Sequence, residues 1–150
     1  MTDQNVVAKL GGGDSAEVAL GRLVSTKATN AGVKSFAQML VTDHSANAKE
    51  LASLAKKDSL TPQPPPGDTS AQHHQNELAK FQAMAKGMDF DTAFVNGAVE
   101  DHQKEIDALT SAQASLTNAD LKALIGKTLL VLQKHLDKAK ELQGKLSATK

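Results

Sequence analysis

Apolar and small residues recur three and four apart through four long stretches of this 150-residue chain, and that spacing constrains its fold most. A helix gathers such positions into one stripe, and each stripe must bury itself against neighbours. The stripe reads Leu10, Gly13, Glu17, Leu20, Val24 in the first stretch and Val33, Ala37, Leu40, His44, Asn47, Leu51, Leu54 in the second. In the third it reads Val95, Ala98, His102, Ile106, Leu109, Gln113, Leu116. The last reads Leu121, Leu124, Thr128, Val131, His135, Ala139, Leu142, Leu146.

Punctuation sets the boundaries. Thr61-Pro62-Gln63-Pro64-Pro65-Pro66-Gly67 is too proline-rich for helix and forms a linker over 61–67. Asp68-Thr69-Ser70 and Thr117-Asn118-Ala119-Asp120 supply helix caps, and Asn30-Ala31-Gly32 breaks the pattern once. The spacing predicts helices over about 14–28, 31–58, 69–86, 88–115 and 119–147. Residues 3–13 extend the first helix only weakly, because Gly11-Gly12-Gly13 interrupts it and Asp14 or Ser15 offers a fresh cap. The expected fold is all-α: one domain over 1–150, a four-helix bundle with an additional helix after the linker.

Composition removes several function classes. The chain has no Cys, which excludes a disulfide scaffold, a thiol nucleophile and cysteine-ligated metal. Its 17 Lys+Arg balance 17 Asp+Glu, and aromatics make up 3%, so nucleic acid is not an expected partner. No apolar run approaches the roughly 18 residues of a membrane span. Met1-Thr2-Asp3-Gln4 lacks the positive and apolar regions of a signal peptide, and none is read in this chain. There is no phosphate-binding loop, dinucleotide glycine motif or nucleophile elbow.

Each stripe is broken near its middle by an ionisable residue: Glu17, His44, His102 and His135. Burying such a group without a partner costs several kcal/mol, so the interruptions call for a reason. Glu17 and His44 lie 13 and 14 residues from a turn at Asn30, and His102 and His135 lie 16 and 17 from a turn at Asn118. If the two hairpins pack with their turns at one end, one carboxylate and three imidazoles converge in mid-bundle. Such a set suits one zinc, iron, manganese or copper ion. Asp43, Asp91, Asp101 and Glu105 are carboxylates available to orient the imidazole N–H groups, although Asp91 stands too far along its helix to ligate with His102. The competing reading is a metal-free polar layer that fixes helix register in a structural or interaction module. A redox or oxygen-activating enzyme on the same residues ranks below both. His73-His74 with Glu77 reads as a solvated helix start, and Val41-Thr42-Asp43-His44 is similar to Val99-Glu100-Asp101-His102, a faint sign of internal duplication.

The segment Val33-Lys34-Ser35-Phe36-Ala37-Gln38-Met39-Leu40-Val41-Thr42-Asp43-His44 resembles a known family pattern. So do Glu17 with Gly21-Arg22-Leu23, Phe90 to Phe94, Val99 to His102, and Lys127-Thr128-Leu129 followed by Gln133-Lys134-His135-Leu136. Together they resemble the bacterial family of domain of unknown function 4142, over about residues 13–146. The resemblance implies a ferritin-like helical bundle in an exported, periplasmic or envelope-associated protein and carries no settled activity; the metal-binding or stress-protection role expected here rests on the four ionisable groups at one height. It places the recurrent polar positions at Glu17, Asp43, His44, Asp91, His102 and His135. The family often carries Leu-Pro-Thr-Leu where this chain has Leu129-Leu130-Val131-Leu132, so a straighter last helix is expected. A di-iron centre is not expected, because Val41, Val99 and Leu132 stand where Glu-x-x-His pairs need glutamate.

Overall fold

The computed structural model describes residues 1–149. It contains α1 (Asp3–Lys27), α2 (Ala31–Lys57), α3 (Ser70–Ala83), α4 (Met88–Ala112), a short 3-10 turn (Gln113–Ser115) and α5 (Ala119–Ala148). Thr2 and Asn5 form a capping box at the start of α1, and Asn30 and Asn118 cap α2 and α5 through their side chains. No described helix is long and apolar enough to cross a membrane.

Helix α1 runs unbroken through Gly11-Gly12-Gly13, and the fresh start expected at residue 14 does not occur. Each glycine costs about 1 kcal/mol in a helix interior. Against this, Val6, Val7 and Leu10 are buried beside Leu51, Leu109 and Ile125, at about 1.5–3 kcal/mol each. Burial therefore outweighs propensity, and Asp14 becomes an interior position of a helix instead of its cap. Helix α5 likewise runs unbroken past Leu129-Leu130-Val131-Leu132.

Two buried carboxylates decide how the hairpins meet. Asp91, at the start of α4, accepts hydrogen bonds from Thr29 N (3.1 Å), Thr29 Oγ1 (2.9 Å) and Asn30 N (2.7 Å) at the α1–α2 turn. Asp3, at the start of α1, accepts from Thr117 N (2.9 Å), Thr117 Oγ1 (2.6 Å) and Asn118 N (3.0 Å) at the α4–α5 turn. The turns therefore lie at opposite ends of the bundle, not at one end as the sequence reading supposed. One apolar cluster, with Val24, Phe36, Phe94 and Leu142, fills the first end; another, with Leu10, Leu51, Leu116 and Leu121, fills the second.

The chain must then travel the length of the bundle between α2 and α4. Its route is pinned along α1: Asn5 Nδ2 donates to the Gln63 carbonyl, Lys9 to Asp68 and Ser70, and Lys27 to the Phe81 and Gln82 carbonyls at the end of α3. The additional helix α3 thus runs parallel to α1.

The same 88-residue interval separates Asp3 from Asp91, Thr29 from Thr117 and Asn30 from Asn118. The structural equivalence is α1 with α4 and α2 with α5. The likeness of the Val41 and Val99 segments pairs α2 with α4 and does not follow it. Carried along the helices, the interval sets Asp14 against His102, Glu17 against Glu105, Asn47 against His135 and His44 against Leu132.

The clamps should be measurable. Asp91→Ala removes the charged acceptor of several part-buried hydrogen bonds and should lower stability by about 1–3 kcal/mol in a denaturant titration, and Asp3→Ala similarly. Burial alone would raise the Asp3 carboxyl, but the bonds from Thr117 and Asn118 outweigh it and hold it below its ordinary 3.8. Its contribution is therefore present above that value and lost as pH falls through the lower folded one, and Asp3→Asn should flatten that acid limb. Glycines give a second contrast. A Cβ on Gly21 would lie 2.8 Å from Val41 Cγ2 and 3.0 Å from the Ala37 carbonyl, whereas one on Gly126 meets nothing within 4 Å. Gly21→Ala should cost about 1–3 kcal/mol, and Gly126→Ala should stabilise by about 0.5–1 kcal/mol. Paired melting curves check both signs.

Candidate metal centre

His44 is the midpoint residue of the 27-residue α2, and His102 and His135 stand within two residues of the midpoints of α4 and α5. Residues at mid-helix share one level whichever way the hairpins are turned. That is why the three imidazoles meet although the turns lie at opposite ends. They are 4%, 1% and 0% exposed. Ring centroids are 6.0 Å apart for His44–His102, 5.3 Å for His44–His135 and 5.4 Å for His102–His135. One donor atom from each ring lies within 4.8 Å of the other two.

Each ring has one nitrogen engaged. His44 Nδ1 is 2.8 Å from Asp14 Oδ1, His135 Nε2 is 2.8 Å from Asp43 Oδ2, and His102 Nδ1 is 2.9 Å from the Ala98 carbonyl. All three partners are acceptors, so the engaged nitrogens carry the protons and the rings donate. The opposite nitrogens, His44 Nε2, His102 Nε2 and His135 Nδ1, are buried without a partner. In neutral rings these are lone pairs. Three lone pairs therefore meet in the buried interior with no protein donor among them.

The titration of His135 agrees with this picture, and that of His44 runs against it. Burial opposes protonation of His135, and the neighbouring His44 and His102 add to it, which takes His135 down to about 4 despite Asp43. Burial also opposes His44, but Asp14, Glu17 and Glu105 together outweigh it and raise that ring. Metal ligation needs the unprotonated nitrogen, which His135 offers at neutral pH.

Asp14 is the residue that the sequence reading missed as part of the centre. It is 1% exposed, bonds His44 through Oδ1 and accepts from Asn47 Nδ2 through Oδ2 at 2.8 Å. Thr128 Oγ1 lies 2.9 Å from Asn47 Oδ1. The chain Thr128–Asn47–Asp14–His44 thus ties α5, α2 and α1 to one ring. The available signal was the spacing of Asp14, four residues after Leu10, had the helix been carried through the glycines.

The other expected residues divide. Of the four orienting carboxylates, Asp43 does contact a histidine. Asp91 does not, because its oxygens are taken up at the α1–α2 turn. Glu17, Asp101 and Glu105 line a cavity of about 690 Å³ beside α1, α3 and α4, and Glu17 stands outside the three-histidine group. Burial pushes the Glu105 carboxyl up to about 7; His44 opposes this, and Glu17, Asp14 and Asp101 add to it.

Chemically, three imidazole nitrogens on three helices could supply three of the four donors that a tetrahedral metal ion takes. Asp14 and Asp43 would raise the basicity of their rings and fix the ring planes.

The sequence matches the family described as Domain of unknown function (DUF4142) over residues 1–142. The chain belongs to that family. A search of curated proteins and a search of solved structures found no match. For this DUF4142 protein the site itself must carry the functional argument. Asp14→Asn and Asp43→Asn should each weaken transition-metal affinity by about 10–100-fold while leaving the helix content unchanged. Competition titration with a chromogenic chelator, alongside circular dichroism, checks this.

Proposed function

We propose that this protein binds one transition-metal ion at the bundle centre through His44 Nε2, His102 Nε2 and His135 Nδ1. The observation that carries the reading is the set of three buried, partnerless lone pairs converging from three helices. A cation resolves their repulsion, and each ring is already turned toward that point by a bond on its far side. The ion would be zinc, iron, manganese or copper, since imidazole suits these metals. The role we propose is metal binding and buffering, or stress protection, in a ferritin-like bundle of the bacterial envelope.

A second reading keeps the layer metal-free and structural. It is favoured by the Asp14–His44 and Asp43–His135 pairs, which cross between helices and would fix register by themselves. It leaves the three inward nitrogens unexplained.

Elemental analysis separates the two. Untagged protein, purified without chelator, should carry about one equivalent of metal. His102→Leu should reduce it to under about a tenth, and Glu17→Gln should leave it in place. Metal at about 100 times its Kd should stabilise the fold by about 2.7 kcal/mol, and chelator should reverse this. Less than about a tenth of an equivalent in the wild type after reconstitution, with a melting temperature indifferent to metal, would favour the structural reading.

A further inference from the structure

His73 and Glu77 stand one helical turn apart on α3 and so share a face. Helix α4 brings Asp101 against them. One donor atom from each of the three lies within 4.8 Å of the other two. They line the 690 Å³ cavity, which has room for an ion with its water shell, and Glu17 and Glu105 line the same space. This is a mixed donor set, one imidazole and two carboxylates, supplied by two helices.

Carboxylates outnumber amines around it. Among the described residues, no Lys or Arg forms an ion pair with Glu17, Glu77, Asp101 or Glu105. The nearby amines are engaged elsewhere: Lys9 bonds Asp68 at 3.0 Å, and Lys104 bonds Glu100 at 2.6 Å. Burial takes the Glu77 carboxyl up to about 7, with Asp101 and Glu17 adding to it. Four carboxylates thus face a cavity whose two lining amines, Lys9 and Lys104, are paired with other carboxylates, and the imidazoles of His73 and His74 line the same space.

We propose that His73, Glu77 and Asp101 form a second metal site, distinct from the three-histidine centre, for a divalent ion such as Mn²⁺ that accepts carboxylate, imidazole and water together. The cavity keeps this ion in contact with solvent water, which completes its coordination. Glu17 lines the same cavity and acts electrostatically on both Glu77 and His44. His73 and Glu77, which in sequence read as a solvated helix start, become ligands once α4 supplies Asp101.

The test is a Mn²⁺ titration followed by electron paramagnetic resonance, in which free Mn²⁺ is counted directly. It is run on the full chain carrying His102→Leu, so that the outcome does not depend on the three-histidine centre. This protein should bind Mn²⁺ below about 1 mM, and adding Glu77→Gln or Asp101→Asn should weaken binding at least about tenfold. His73→Gln, at an exposed position that folding tolerates, should weaken it as well. Circular dichroism confirms that each variant is folded. Absence of Mn²⁺ binding below about 1 mM, or binding that all three substitutions leave unchanged, overturns the proposal. Wild-type protein titrated in parallel reports the histidine centre separately.

Discussion

Each hairpin turn of this bundle is held by a buried carboxylate at the start of the opposite hairpin. Asp91 gathers the free donors of Thr29 and Asn30, and Asp3 gathers those of Thr117 and Asn118. Backbone N–H groups at helix starts have no partner within their own helix, so a carboxylate there satisfies several at once. This reciprocal arrangement makes the hairpins head-to-tail and sends residues 58–87 along the bundle. It also leaves mid-height as the one level at which all four long helices present the middle of their seams. Asp14, His44, His102 and His135 lie there.

At that level the two halves carry different residues. Under the 88-residue interval Asp14 matches His102, and Asn47 matches His135. One half contributes the hydrogen-bonding support, and the other half contributes two of the rings. His44, opposite Leu132, is the ring that joins them. The engaged nitrogens define the tautomers, and the tautomers aim the free lone pairs inward. In a low-dielectric interior that arrangement is costly as long as it holds no positive charge.

Helix identity and the central histidines were legible in the sequence because the apolar period survives any reasonable choice of boundary. Hairpin orientation was not. A seam of alternating three and four spacings reads the same in either direction, and level positions near the middle of a helix stay level when the hairpin is inverted. The information on orientation sat in Asp3 and Asp91, whose partners are backbone donors that no residue pattern displays. Asp14 was hidden by the glycines before it. Local propensity ends the helix there, and only the burial of Val6, Val7 and Leu10 shows that it continues. Glu17 fitted the seam by spacing, but it is half-buried on the cavity side, one turn beyond the carboxylate that holds His44.

Anomalous diffraction from a crystal grown with one added equivalent of zinc, recorded on both sides of the zinc edge, would locate an ion held by the three histidines. A single strong peak is expected at mid-bundle, about 2.0–2.1 Å from His44 Nε2, His102 Nε2 and His135 Nδ1. A map with no peak there, or with ordered water hydrogen-bonded to those three nitrogens in zinc-soaked crystals, would contradict it.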